Sequence, residues 1–261
     1  MEVYKFNNVF SHVEVMLRSK YSENPNFNNT LFVLGYNVLE NLNFLRQQYP
    51  NYKIIVYQLE QLYNNSDWVN QKNYKILKSA DEIWDYDESN IQWMQKNYRL
   101  TAKFHPILYT DQLKVMDSID IVNPDIDILF YGYIQERRAK MFFHLQNRLG
   151  GRFKFINLYG IWGDELDSYI NRSKIILNIH SHEQNKQEQV RMFYPVLNGR
   201  CVLSEKSTYN YLGDSIIEVP FNQMVEKSIS LLQSGDWEKM ALSCSETFKN
   251  ISNNYIKQYN L

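Results

Sequence analysis

Short apolar runs recur along this chain, and each one ends abruptly in a glycine or a polar residue. Leu31 to Asn37 reads LFVLGYN, Lys53 to Leu62 reads KIIVYQLEQL, and Asp127 to Tyr133 reads DILFYGY. Runs this short and this uniformly apolar suit strands buried on both faces, as in parallel sheets. Between them lie stretches whose apolar residues are spaced for helices, such as Val38, Leu39, Leu42 and Leu45 before Pro50. Strand and helix alternating throughout predict parallel sheets flanked by helices.

In chain order, residues 10–20 alternate apolar and polar at Val13, Val15 and Leu17, which reads as a half-buried strand. Strands follow at 31–37, 53–62, 82–86 and 102–108, with helices at 38–48, from Asp67 to about Ser79 with Asp67 as cap, and at 87–97. Residues 109–126 turn polar, with Asn123-Pro124 before the next apolar run, and read as a linker. A second series then opens. Strands are expected at 127–133, 153–160, 174–180, 201–203 and 216–220. Helices are expected from Arg137 to Arg148, ended by Gly150-Gly151, from Asp164 to Ser173, from Glu188 to Leu197, from Phe221 to Gln233 and from Asp236 to about Tyr259.

The fold expected is α/β, with two doubly wound Rossmann-like domains facing a cleft. Residues 1–120 form the first, 121–240 the second, and 241–261 a C-terminal helix free to pack back on the first. Ligands in such sheets sit outside the carboxyl ends of the strands.

Composition narrows the partners. The 261 residues carry a net charge of -1, so no global field draws in nucleic acid or an anionic membrane. Two cysteines, Cys201 and Cys244, are too few for a disulfide framework or a zinc site and read as buried thiols. The N-terminal MEVYKFNNVF has no apolar core of a signal peptide, and no run approaches the length of a bilayer span. A soluble, cytoplasmic protein is expected.

Chemistry-bearing residues collect at expected strand ends. Gly132 follows one strand and allows close backbone approach, and Arg137 and Arg138 open the next helix. Those arginines can neutralise a phosphate or form a solvated helix face. His180 ends another strand beside Ser181 and His182. Glu188 opens a helix, where its carboxylate can take a ribose diol or simply favour the helix dipole. Arg191, a turn later, can hold a phosphate or pair with Glu188. Ser204 and Glu205 end the following strand, and Tyr159-Gly160 ends another, as a base platform or as a turn.

In the first half, Gln58, Glu60 and Gln61 follow one strand, and Asp85 and Asp87 flank another. Gln58 and Gln61 suit an acceptor side. Glu60 and Asp85 are the candidate general bases, with His12 and His105 behind them. No G-x-G-x-x-G follows a strand, which disfavours a dinucleotide enzyme.

Four stretches resemble the GT-B fold glycosyltransferases, specifically short members of the glycosyl transferases group 1 type related to the spore protein CgeB. They are DILFYGYIQERR (127–138), ILKSADEIWDYDESN (76–90), KIILNIH (174–180) and EQVRMFYPVLNGRCVLSE (188–205). The resemblance implies transfer of a sugar, hexosyl or pentosyl, from a nucleotide-diphosphate sugar to a glycan or other hydroxyl acceptor. It implies donor contacts from Gly132, Arg137, Tyr159, Gly160, Glu188, Arg191, Ser204 and Glu205, and catalytic roles for Arg138 and His180. The retaining branch of that family has two glutamates separated by seven residues before an Ala-Cys-Gly-Pro turn. Tyr194 stands here five residues before Gly199, and no proline follows the glycine. Glu188, Arg191 and Glu205 are then left to take over those contacts. No Asp-x-Asp motif ends an apolar strand, since Asp125-Ile126-Asp127 precedes its strand, so no metal and no cofactor are expected. The alternative is a non-catalytic module of the same fold that binds a nucleotide or sugar. In either case Glu188→Ala is expected to weaken nucleotide binding with little loss of stability.

Overall fold

A computed structural model describes residues 1–115, 124–184 and 186–261. The chain divides into two compact units, Met1–Ile107 and Leu108–Leu261. Each is built on a five-stranded, all-parallel sheet with helices on both faces. The expected α/β class holds for both.

In the first unit the strands are β1 (Glu2–Lys5), β2 (Thr30–Leu34), β3 (Lys53–Gln58), β4 (Glu82–Asp85) and β5 (Lys103–Phe104), hydrogen-bonded in that order. The helices are α1 (Ser11–Tyr21), α2 (Asn43–Gln48), α3 (Gln71–Ser79) and α4 (Glu88–Asn97). Leu45, Ile76, Leu77 and Met94 of α2, α3 and α4 bury against Leu31, Val33, Ile54, Val56 and Ile83 on one sheet face. On the other face Tyr21 of α1 packs against Phe32 and Trp84.

Residues 11–21 are therefore a helix and not the expected strand. Val13, Met16, Leu17 and Tyr21 are buried, a helical spacing, whereas Val15 is only half-buried. The alternation at Val13, Val15 and Leu17 is a coincidence of that longer pattern. The edge strand β1 was not anticipated. All four of its residues are only half-buried, so the run EVYK carries no strong apolar signal. Asn70, not Asp67, caps α3, its side chain accepting from the Asn73 amide.

The second unit contains β6 (Ile126–Tyr131), α5 (Glu136–Leu149), β7 (Phe155–Leu158), α6 (Asp164–Asn171), β8 (Ser173–Asn178) and α7 (Gln189–Leu197). It continues with β9 (Cys201–Glu205), β10 (Ile217–Val219), α8 (Met224–Ser234) and α9 (Asp236–Tyr259). The strand order is β10-β9-β8-β6-β7. From β6 the chain moves to β7 on one side, and from β8 it moves to β9 on the other. β6 and β8 thus flank a topological switch point, where the loops diverge and leave a crevice at their carboxyl ends. The divergence is visible in the packing. Met141, Phe142, Leu145 and Leu149 of α5 bury on the face of Ile128, Phe130, Ile175 and Leu177, while α7 packs with α9 across β8 and β9.

Residues 108–115 belong to this unit through specific bonds. The Tyr109 amide donates to Ser252 Oγ at 2.9 Å, and the Val115 amide to Asn198 Oδ1 at 2.9 Å. The expected linker at 109–126 is thus partly packed structure, and its stretch 116–123 lies outside the described residues. The terminal segment 241–261 is the later part of α9, which packs on α7, α8 and β9 of the second unit.

Candidate functional site

The switch point of the second unit gathers most of the residues singled out in that half. β6 delivers Tyr131 and Gly132, the start of α5 delivers Arg137 and Arg138, and the end of β8 delivers Asn178 and His180. The start of α7 delivers Glu188 and Arg191, and the end of β9 delivers Ser204 and Glu205. Their side chains form two ionic clusters.

The first cluster centres on Glu188, at the N-cap of α7, which pairs with both Arg138 and Arg191. Arg138 is 3% exposed, and all of its nitrogens are engaged. Nε donates to the Ile179 carbonyl at 2.7 Å, Nη1 to the Tyr133 carbonyl at 2.7 Å, and Nη2 to Glu188 Oε1 at 3.0 Å. Burial draws its pKa down to about 10, with Glu188 opposing that shift. Arg138 therefore clamps two loops to the N-terminus of α7, and its burial leaves little of it open to solvent.

Arg191 is less enclosed. Its Nη1 donates to Asn178 Oδ1 at 3.1 Å, and its guanidinium lies 5.5 Å from the Phe130 ring centre. Asn178 is fixed in turn by donating to Ser204 Oγ at 3.0 Å. Gly132 makes room for the guanidinium. Its φ is +131°, and a Cβ placed there would lie 2.8 Å from Arg191 Nη2.

The second cluster joins Arg137, Glu205 and His180. The Arg137 guanidinium takes Glu205 in a two-bond fork, also donates to the His180 carbonyl at 2.8 Å, and lies 3.8 Å from the Phe221 ring centre. The His180 amide donates to Glu205 Oε2 at 3.0 Å, and its Nε2 lies 3.3 Å from Ser207 Oγ. The imidazole is 1% exposed, and burial lowers its pKa, which keeps it neutral. Three arginines against two glutamates and a neutral histidine leave the two clusters together one positive charge in excess.

Tyr159 and Gly160 stand apart from both clusters, after β7. Tyr159 is 66% exposed and meets the Tyr133 ring at 5.6 Å, and a Cβ on Gly160 would touch nothing.

The candidates of the first unit form a separate polar knot at the ends of β3 and β4. Asp85 is fully buried. It accepts from Gln58 Nε2 at 2.9 Å, the Asp87 amide at 2.8 Å and Asn90 Nδ2 at 3.1 Å. Burial, with the nearby Asp87 carboxylate adding to it, raises its pKa well above the usual carboxylate range. That geometry makes Asp85 a joint between β3, β4 and α4. Glu60, two residues after β3, is half-buried. Gln61 donates to the Tyr86 hydroxyl at 2.6 Å, and Gln58 holds the Glu60 backbone through both ends of its amide. His105 is sealed against Trp84, stacked at 4.3 Å, and burial brings its pKa down to about 3.

Asn178 and Gln187 are among the contributors that went unnoticed in the sequence. Asn178 is the polar residue that ends an apolar run, a signal available but unused. Gln187 carries no signal at all, yet it is fully buried. Its Oε1 accepts from the Tyr211 and Leu212 amides, and its Nε2 donates to Asn210 and Glu218, which ties the loop after β9 to the start of α7. Among the described residues no group of three or more His, Cys, Asp or Glu is placed to hold a metal. Cys201 and Cys244 are buried free thiols, each pushed up to about 12 by burial.

Comparison with solved structures gives this arrangement its context. S. aureus TarM, in a complex that includes UDP, superposes with a TM-score of 0.56 over 97% of this chain and 55% of its own, at 10% identity. Anabaena HepE in complex with UDP-glucose gives 0.53 over 97% of this chain and 81% of its own, at 10% identity. The fold is that of the GT-B glycosyltransferases. A UDP-forming trehalose-phosphate synthase from Burkholderia xenovorans shares the GT-B fold at a TM-score of 0.54 and 10% identity, over 96% of this chain and 78% of its own. No protein-family model matches the chain. Two curated proteins of Acanthamoeba polyphaga mimivirus are similar in sequence. "Uncharacterized protein L138" is 26% identical over 156 residues, 56% of this chain, and "Uncharacterized protein R358" is 24% identical over 222 residues, 80% of this chain. The chain spans 17% of the length of the first and 74% of the second. No helix among the described residues is long and apolar enough to cross a membrane.

Proposed function

We propose that this chain is a glycosyltransferase that binds a nucleotide-diphosphate sugar at the switch point of its second unit and passes the sugar to a glycan or other hydroxyl acceptor. The observation that carries this reading is the Gly132–Arg191–Glu188–Arg138 cluster. It puts a positively charged side chain and a helix N-terminus at a crevice where backbone can approach a ligand closely. Departure of a nucleoside diphosphate builds negative charge on the leaving phosphate. Arg191 meets that charge by giving up its contact with Glu188, which keeps Arg138 as its partner. The excess positive charge of the two clusters and the dipole of α7 supply the stabilisation that a divalent metal supplies elsewhere. Glu205 holds Arg137 in place, and the neutral His180 acts as a hydrogen-bonding group and not as a charge. Glu60 is the proposed base or acceptor contact.

UDP is the first nucleotide to try, because the TarM and HepE complexes contain UDP or UDP-glucose. Thermal shift with UDP, GDP, ADP and NAD tests the binding step. Stabilisation by one nucleoside diphosphate and none by NAD is expected, and no shift with any of them would sink the reading. Release of sugar from the matching nucleotide sugar then distinguishes an enzyme from a binding module. The module reading draws support from Tyr194, which stands where the retaining branch has a glutamate.

A further inference from the structure

Pro195 lies inside α7 and has no amide hydrogen. In an α-helix that hydrogen would bond the carbonyl four residues back, which here belongs to Arg191. The Arg191 carbonyl does not go without: the Tyr131 hydroxyl, from the last residue of β6, donates to it. Tyr131 is 8% exposed, so little water competes for the bond. Burial also raises its pKa above the ordinary tyrosine range, so the hydroxyl keeps its proton. The residue after β6 is Gly132, whose missing side chain leaves space for the guanidinium of the same arginine. Two successive residues at the end of one strand thus govern both ends of Arg191, its backbone and its charge.

We infer that Tyr131 is a positioning residue, its hydroxyl replacing the helix hydrogen bond that Pro195 removes and so fixing Arg191 beside Gly132 and Asn178. The proposal rests on the donor-site reading only in the use it assigns to Arg191; the linkage among Tyr131, Pro195 and Arg191 stands without it. Neither Tyr131 nor Pro195 was singled out from the sequence, because the two are linked only through the Arg191 carbonyl that the Tyr131 hydroxyl reaches in the fold. The proline also makes the arrangement reversible on paper. Pro195→Ala gives α7 back its own donor and removes the need for the tyrosine hydroxyl.

The test is a four-member set: wild type, Tyr131→Phe, Pro195→Ala and the double variant. UDP affinity is measured by calorimetry. The Arg191 side-chain Nε–H signal is followed by NMR, assigned through its loss in Arg191→Lys. Tyr131→Phe is expected to weaken UDP binding about three- to tenfold, the worth of one neutral hydrogen bond, and to broaden the Arg191 signal. Pro195→Ala alone is expected to behave as wild type, and the double variant to recover both the affinity and the sharp signal. A Tyr131→Phe protein with wild-type affinity and an unchanged signal would overturn the inference, as would a double variant no better than Tyr131→Phe. If the wild type binds no UDP, the donor reading fails and the NMR arm alone decides on Tyr131. Should Tyr131→Phe not fold, recovery of folding in the double variant supports the inference and failure to recover it counts against it.

Discussion

Gly132→Ala should damage the second unit in two separable ways. Its φ of +131° is one that side-chain-bearing residues rarely adopt, and forcing it costs about 1–3 kcal/mol. The new Cβ would also lie 2.8 Å from Arg191 Nη2, so the guanidinium must move. Moving it gives up a hydrogen bond from a charged donor to Asn178, worth about 1.5–3 kcal/mol. The sum is a loss of about 2.5–6 kcal/mol. Gly150→Ala is the matched control. Gly150 also has a left-handed φ, +57°, but a Cβ there meets nothing within 4 Å, so about 1–2 kcal/mol of strain is all that is expected. Hydrogen exchange followed by mass spectrometry reads local stability, and peptides covering β6 and β8 should lose more protection in Gly132→Ala than in Gly150→Ala. In an Arg191→Ala background the excess should shrink to the difference in backbone strain, about 1 kcal/mol or less, because the colliding group is gone. Equal effects at the two glycines, or an excess that survives undiminished without Arg191, would refute the reasoning.

Glu188→Ala should be costlier than its sequence position implies, because it strips a counter-ion from Arg138, which is 3% exposed. A loss of about 3 kcal/mol in urea unfolding is expected, the lower end for breaking a buried pair, since two carbonyls still hold Arg138. Full stability in that variant would mean Arg138 does not depend on Glu188. Gln187→Ala leaves the buried Tyr211 and Leu212 amides without their acceptor, so exchange across residues 206–213 should quicken while β7 is unaffected. In the first unit, burial puts the His105 pKa at about 3, below the ordinary 6.5, so folding favours its neutral form. That contribution is complete above pH 6.5 and is lost as the pH falls toward 3. The stability difference between wild type and His105→Gln should therefore shrink by about 1.4 kcal/mol per pH unit below 6.5. A difference independent of pH would exclude His105 as the source.

The buried strands were legible because a parallel sheet leaves no room for polar side chains. LFVL, KIIVY, DILFY and KIILN announce themselves, and the glycine or polar residue that closes each (Gly35, Gln58, Gly132, Asn178) marks the carboxyl edge. Residues 11–21 were misread because three alternating apolar positions fit a strand and a helix equally over so short a span. Arg137, Arg138, Glu188, Arg191 and Glu205 were all named from the sequence, but who pairs with whom was not. Arg137 meets Glu205 and Arg138 meets Glu188 only because β6, β8 and β9 lie side by side. Adjacent residues on a helix point about 100° apart, so one arginine is sealed while its neighbour reaches the rim, and sequence cannot say which. Asp85 makes the same point about partners. A carboxylate at a strand end read as reactive is enclosed by Gln58, Asn90 and the Asp87 amide, donors brought from two other segments.

The two strand orders also bear on how the chain acquires its structure. In the first unit every strand pairs with its immediate predecessor, so the sheet can be laid down one strand at a time as the chain lengthens. In the second, Ile128 of β6 must wait for Ile175 of β8, with β7 and α6 made in between. Until then one edge of β6 is bare, and the apolar β9 is a rival for it. Pulsed hydrogen exchange during refolding should find β2 and β3 protected before β6 and β8, and simultaneous protection would contradict this order. The strand reversal that assembles the arginine cluster thereby sets the slowest step in making it.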